Sequence, residues 1–370
     1  MNTHCDASVA GDWIGTPVDE LDTPALLLDR AASDRNLRKM ADFFQGKKCQ
    51  LRPHFKNHKC VTLARRQLAA GSAVGMTCAK LGEAEVLADG GITDVLIANQ
   101  IIGPHKMKRL VEVARRIDLK VAVDDLVQAE PISRAAAAAG VTVGVLVEVD
   151  IGTGRCGAAP GEPVLKLAQA VASLEGLRFD GLQAYEGHAV YVNDRDERTS
   201  LVREAFEKAL ETRRLLERNG LEVRTISGGS SSTYQITGSI DGVTEVQAGS
   251  YATMDWRYAE MLPDFEVALS VLARVISKRP GAAVLDVGLK GAGSEFGTPR
   301  IKDHPTVEIP SFVSEEHCIV RNAPDWKIGQ TVQLLPSHAC TTCNLHRQMF
   351  VHEAGRVVDV WAIEGSGRLR

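Results

Sequence analysis

The chain has 370 residues, 44% of them apolar and 24% charged, with a formal net charge of −4. That length supports one large or two medium domains, and the composition is ordinary for a globular protein. The weak negative charge argues against nucleic acid or an anionic membrane as a partner, and no apolar run reaches the roughly 18 residues of a membrane span.

Met1 to Gly15 lacks the charged start and apolar middle of a signal peptide, so a cytoplasmic protein is expected. The cysteines are Cys5, Cys49, Cys60, Cys78, Cys156, Cys318, Cys340 and Cys343. In a cytoplasmic chain of this size they read as small core residues rather than a disulfide framework. Cys340 and Cys343 stand apart because histidines flank them.

TPALLLD, ending at Asp29, predicts a first strand. From Gln50 onward short β-rich runs follow one another: QLRPHF, AVGMTC, DVLIAN, LKVAVD, VTVGVLVEVD, LRFDGLQAY, VRTISGG and GVTEVQAG. The segments between them have helical composition, such as LGEAEVLADGG and the charged stretch from Arg195 to Asn219. Such alternation predicts βαβ units and a parallel sheet, and eight strands between Gln50 and Gly249 fit a (β/α)8 barrel of the TIM type. A doubly wound sheet is the alternative, but no Gly-rich dinucleotide turn follows its first strand. From about Phe265 the pattern changes to short β-type runs separated by Gly, Pro and Asn: AVLDVGLK, TVEIP, HCIV, TVQLLPSHAC and QMFVHEAGRVVDVWAI. These predict a mostly antiparallel β-domain. The expected division is a barrel over 22–258, with 1–21 and 259–370 forming the β-domain.

A barrel presents its functional residues just beyond the C-terminal ends of its strands. Those positions hold Arg52 to Lys59 after the first run, Gly152 to Gly157 after the fifth, and Gln183, Tyr185 and His188 after the sixth. Ser227 to Ser232 follow the seventh, and Gly249, Ser250 and Tyr251 the eighth. Small residues after the last two strands let backbone N–H groups approach a phosphate, aided by a following helix N-terminus. A lysine at the mouth of such a barrel can form a Schiff base with pyridoxal phosphate. Lys56 is the candidate, since Arg52, His54 and His58 surround it in sequence and their positive fields lower a lysine's pKa. Lys59 is the rival. The third constellation is His338-Ala339-Cys340: in an extended chain residues i and i+2 point the same way, so imidazole and thiolate can grip one metal. That donor pair favours zinc, with manganese or magnesium as alternatives.

At these residues the chain resembles the fold-type III pyridoxal-phosphate enzymes that contain D-threonine aldolase, 3-hydroxy-D-aspartate aldolase and D-serine dehydratase. The matching motifs are RPHFKNHK at Arg52, TCAKLGEAE at Thr77, VEVDIGTGRCG at Val147, GLQAY at Gly181, SGGSS at Ser227, GSYATMD at Gly249, EEH at Glu315 and PSHAC at Pro336. The resemblance implies an alanine-racemase-like barrel plus β-domain, usually a homodimer. It implies Lys56 as the cofactor lysine, Arg155 on the cofactor ring hydroxyl and Tyr185 against the cofactor. Gly228, Gly229, Gly249 and Ser250, with Tyr251 beside them, would hold the phosphate, and His338 with Cys340 the metal.

GRCG, GLQAY and the NLH after the metal turn resemble the aldolase branch, whose metal pair reads His-x-Asp. The His-x-Cys of this chain resembles the zinc D-serine dehydratases. A histidine that aldolases carry as a base near Tyr191 is replaced by tyrosine here, with His188 three residues earlier. Two reactions follow. One is retro-aldol cleavage of a D-3-hydroxy-amino acid to glycine and an aldehyde, with His188, Tyr191 or His317 as base. The other is dehydration to a 2-oxo acid and ammonia, with Lys56 taking the Cα proton. A non-catalytic pyridoxal-phosphate carrier would lack the second domain, and a racemase needs no metal at a hydroxyl.

Overall fold

The segment ending at Asp29 folds as a strand, β1 (Ala25–Asp29), in the computed structural model, which describes residues 12–370. Its neighbours come from the far end of the sequence, around Leu272 and Phe350. The chain then lays down β2 (Gln50–Leu51), β3 (Met76–Cys78), β4 (Asp94–Ile97), β5 (Asp118–Val123), β6 (Val143–Val149), β7 (Leu177–Ala184), β8 (Thr225–Gly228) and β9 (Glu245–Val246). These pair in the order β2-β9-β8-β7-β6-β5-β4-β3, every pair parallel. Parallel bridges from Leu51 to Ala73 and from His54 to Thr77 join β2 to the β3 segment. Each of the eight runs read from the sequence thus supplies one strand of a (β/α)8 sheet.

The strands read as near-continuous apolar runs because both faces are covered; β6, VGVLVEV, is buried at every position. The helices between them carry local signals. Asp125 accepts from Val127 N at 2.8 Å to cap Leu126–Ala139. Asp194 accepts from Glu197 N at 2.8 Å to cap Arg195–Arg218, whose first turn is acidic as the helix dipole favours.

An ion-pair network ties together the first residues of several strands. Arg52, 2% exposed, meets Glu245 through Nε and Nη2, both at 2.8 Å, and Asp94 through Nη1 at 2.6 Å. Lys120 reaches Asp94 at 2.9 Å and Asp118 at 2.5 Å, and Arg178 joins Asp118 to Asp180. This corrects one expectation. Two carboxylates neutralise Arg52, so it is a structural cation rather than a field acting on Lys56.

The second sheet comprises β10 (Leu269–Arg279), β11 (Ala282–Leu285), β12 (Arg300–Ile301), β13 (Cys318–Arg321), β14 (Thr331–Leu335), β15 (Gln348–Glu353) and β16 (Arg356–Ala362), together with β1. Its main path is β12-β14-β10-β1-β15-β16, with β11 pairing to β10 and β13. All pairs are antiparallel except β1 with β15. Leu27, Leu272, Phe350 and Val357 form a core on this sheet with Val18 and Leu21.

The division of the chain differs from 22–258 against the remainder. One unit is Met40–Lys56, Ala64–Gly249 and Arg368–Arg370; the other takes the chain up to Lys39, Asn57–Leu63 and Ser250–Gly367. The reason is pairing: β1 bonds to β10 and β15, so the segment from Thr23 belongs with the β-unit. TVEIP, expected as a strand, makes only the bridge from Glu308 to Arg321. The buried cysteines are Cys49, Cys60, Cys78, Cys318 and Cys343, as core residues should be; Cys156 and Cys340 are half-buried, and Cys5 lies outside the described residues. Among the described residues no helix is long and apolar enough to cross a membrane.

Candidate active site

In the barrel unit Lys56 lies in the segment after β2 and is exposed, while every other residue from Leu51 to Cys60 is buried. A strand end anchored on both sides therefore presents one amine. Its rival Lys59 is buried and belongs to the β-unit, where its charge acts on the Cys343 thiol.

Beyond β6, Asp150 folds the next loop by accepting from Gly152 N at 2.9 Å and Gly154 N at 3.1 Å. Burial works against its charge, but these backbone donors, Thr153 N and nearby His188 bring its carboxyl below the usual value. Thr153 donates to the Tyr185 carbonyl at 2.5 Å and accepts from Gly187 N at 3.0 Å, locking this loop to the one after β7. Gly152 is needed there: a Cβ would lie 3.0 Å from the His188 ring, and its φ is +131°. The Arg155 guanidinium stands 5.2 Å from the centre of the Tyr185 ring, within cation–π range. His188 is exposed and Tyr191 half-buried.

The SGGSSS segment is a fixed, buried loop. Gly228 closes on β7, where a Cβ would sit 1.7 Å from the Ala184 carbonyl oxygen, so its smallness serves strand packing. Gly229 N donates to Glu186 at 3.0 Å, Thr233 donates to the same carboxylate at 2.7 Å, and Thr237 does so at 2.8 Å. Ser230 N donates to Thr233 Oγ1 at 2.9 Å and Ser232 Oγ to the Val190 carbonyl at 2.7 Å. Burial pushes the Glu186 carboxyl up while these donors hold it down, with burial prevailing. The helix after the loop is one turn, Tyr234–Thr237, so the dipole expected from it is small. Gly249 ends this unit, and Ser250 and Tyr251 begin a short 3-10 turn of the other, buried, with Tyr251 edge-on to Phe265 at 6.4 Å.

The β-unit holds His338 and Cys340. They do not lie on one extended segment. His338 is extended, with φ −147° and ψ 113°, and Ala339–Leu345 then turns into a helix, so Cys340 lies in its first turn. Cys340 is nevertheless close enough to His338 to act on its charge. Burial opposes charge on His338, yet Cys340 and Glu295 raise it to about 9. An imidazole gripped between a thiol and a carboxylate is a place that favours added positive charge, which fits a divalent cation.

Around this pair the support is close. Glu295 meets His338 Nδ1 and accepts from Thr341 Oγ1 at 2.6 Å. Asp255, fully buried and pushed up to about 6 by that burial, accepts from Ala339 N at 3.0 Å and Tyr258 N at 2.8 Å. Asn57 donates to Cys340 Sγ at 3.6 Å and accepts from Thr253 at 2.7 Å. Among the described residues no group of three or more His, Cys, Asp or Glu side chains is placed to hold a metal ion. His317 is exposed, one residue before β13.

The sequence reading missed Glu186, Glu295 and Asp255. Each is a carboxylate whose role depends on which loops meet. Only Asp255 carried a signal, as an N-cap residue before Trp256–Met261.

Residues 28–255 match the alanine racemase N-terminal domain and residues 268–352 a serine dehydratase domain. A D-threonine aldolase of Arthrobacter sp is 40% identical, with 95% of each chain covered. A 3-hydroxy-D-aspartate aldolase of Paracoccus denitrificans (strain Pd 1222) is 34% identical over 96% of this chain and 94% of its own. The crystal structure of a D-threonine aldolase from Filomicrobium marinum superposes with a TM-score of 0.93 at 40% identity, covering 96% of this chain and 98% of that one. A D-threo-3-hydroxyaspartate dehydratase of Delftia sp. (strain HT23) is more distant, 31% identical over 87% of this chain and 92% of its own.

Proposed function

The chain belongs to the alanine-racemase-like family that includes D-threonine aldolase and 3-hydroxy-D-aspartate aldolase, and we propose that it is a pyridoxal-phosphate- and metal-dependent lyase that cleaves a D-3-hydroxy-amino acid to glycine and an aldehyde. The observation that carries this reading is the 40% identity to a D-threonine aldolase over 95% of the chain.

The residues present fit the two groups. Lys56 is an exposed amine beyond β2, Arg155 and Tyr185 would lie against the aromatic ring, and the buried serine loop and Gly249 would hold the phosphate. Pyridoxal phosphate, when bound, supplies an electron sink for the pair released at Cα. His338 and Cys340 are an imidazole–thiolate pair suited to zinc, and a divalent ion there supplies positive charge at the β-oxygen. Lys56 is the amine that would hold the cofactor. His188, held over Gly152 beside the ionised Asp150, is our choice to accept the β-hydroxyl proton as the Cα–Cβ bond breaks. Tyr191 and His317 are the other candidates. Arg155 and Tyr185, in cation–π contact, would orient a ring bound against them.

A second reading, dehydration to a 2-oxo acid and ammonia, is favoured by one observation. The metal pair is His-x-Cys, which resembles the dehydratases rather than the aldolases. One experiment separates the two. The cofactor- and zinc-loaded protein is incubated with D-threonine, D-3-hydroxyaspartate and D-serine, and products are identified. Glycine with an aldehyde supports the aldolase reading; a 2-oxo acid with ammonia and no glycine overturns it. We also propose a homodimer, on the family resemblance; its mass in solution tests this.

A further inference from the structure

We infer that Glu295 is a positioning residue for the metal: it fixes the tautomer and the rotation of His338 so that Nε2, not Nδ1, is the ligand atom. The inference rests on the reading of His338 and Cys340 as the metal pair. The Glu295 carboxylate is in direct hydrogen-bond contact with His338 Nδ1. A metal ion would need about 2 Å to a nitrogen and about as much again to an oxygen, and that contact leaves no room for one. Glu295 is therefore an acceptor for Nδ1–H, and the lone pair of the neutral ring falls on Nε2.

Four further contacts make this arrangement part of the fold rather than a chance surface pair. Thr341, in the same turn as the two ligands, donates to the same Glu295 oxygen at 2.6 Å. Phe296 packs on the His338 ring at 4.9 Å between centroids, tilted 58°, so consecutive residues of one loop hold the edge and the face of the imidazole. Gly293 N donates to Thr342 Oγ1 at 3.0 Å, and Ser337 Oγ donates to the Gly293 carbonyl at 3.3 Å, pinning that loop to the metal turn. A Cβ on Gly293 would sit 2.2 Å from Thr341 Oγ1, so the approach depends on glycine. An isolated exposed ion pair has no such support and contributes little.

The carboxylate makes the imidazole a better donor and spares the ligand the loss of ring freedom on binding. Outer partners of this kind are worth roughly ten- to a hundred-fold in metal affinity. The test uses the cofactor-loaded protein and titrates zinc against a chromophoric chelator, for wild type, Glu295→Ala, Glu295→Gln and His338→Ala. Glu295→Ala should weaken zinc binding roughly ten- to a hundred-fold, with Glu295→Gln between it and wild type. The cobalt form of both should keep its thiolate charge-transfer band. Proton NMR of the zinc form should show a far-downfield exchangeable imidazole proton that both Glu295→Ala and His338→Ala lose. If His338→Ala binds zinc like wild type, the metal reading fails, and this inference with it. If His338→Ala loses zinc while both Glu295 variants keep wild-type affinity, Glu295 alone is refuted. Should the alanine variant not fold, the glutamine variant decides.

Discussion

Asn57 donates its side-chain amide to Cys340 Sγ at 3.6 Å, while its own carbonyl oxygen accepts from Thr253 at 2.7 Å. The residue peptide-bonded to Lys56 is thus oriented by a threonine and aimed at the thiol of the proposed metal pair. The chain passes from the barrel unit to the β-unit between Lys56 and Asn57, so proposed cofactor lysine and metal shell are consecutive in sequence.

The first expectation concerns that lysine. Borohydride reduction of the cofactor-loaded protein followed by peptide mapping should place the adduct on Lys56, and Lys56→Ala should lose the visible absorbance band. Lys56 is the exposed residue of an otherwise buried stretch, whereas Lys59 is buried near Cys343. An adduct on Lys59 would refute the assignment.

Chelation should separate the two groups. With the metal removed, or in Cys340→Ala, turnover should fall by at least a hundred-fold while the cofactor absorbance persists, because charge at the β-oxygen is lost and the lysine linkage is not. Full activity in metal-free protein would rule out metal assistance. Loss of band and activity together would make the metal structural.

Glu186→Gln should loosen the serine loop. The carboxylate accepts from Gly229 N, Thr233 and Thr237. An amide has one acceptor oxygen, and its NH2 must face a donor. The expected cost is about 1–3 kcal/mol of stability, with weaker cofactor retention on dialysis. Unchanged denaturant midpoint and retention would show that the loop holds itself.

Acid should weaken the β-unit through His352, which lies 7% exposed on β15 with no hydrogen-bond partner for Nδ1. Burial lowers its pKa below the ordinary 6.5, with Asp29 opposing and Lys302 assisting. The folded state then binds a proton less readily than the unfolded one. The stability is fully present above 6.5 and is lost as pH falls from there toward the folded value. Urea unfolding between pH 7.5 and 5 should show a slope shallower in His352→Leu by up to about 1.4 kcal/mol per pH unit. Parallel slopes would show that His352 does not titrate across this range.

The barrel was legible because its signals are local. Each strand is a short apolar run bounded by turn residues, and the loops carry polar residues where a parallel sheet exposes them. β10 was not legible: its first half is buried on both faces and shows no alternation. The proposed metal pair was read from an i, i+2 rule that the backbone does not follow, because Cys340 lies in the first turn of a helix that starts after His338. Glu186 and Glu295 had no local signature, since their partners lie 43 to 51 residues away and no periodicity reports a contact between loops.

The central place of β1 has a consequence for synthesis. It is made before the barrel strands, yet both of its neighbours, β10 and β15, are made only after the whole barrel. At about 5–20 residues per second, a leucine-rich strand with both edges open waits tens of seconds for partners. Nascent chains should therefore lean on a holdase, and a gene fragment ending near residue 258 should yield an aggregating product, because it would keep β1 and discard both strands that pair with it.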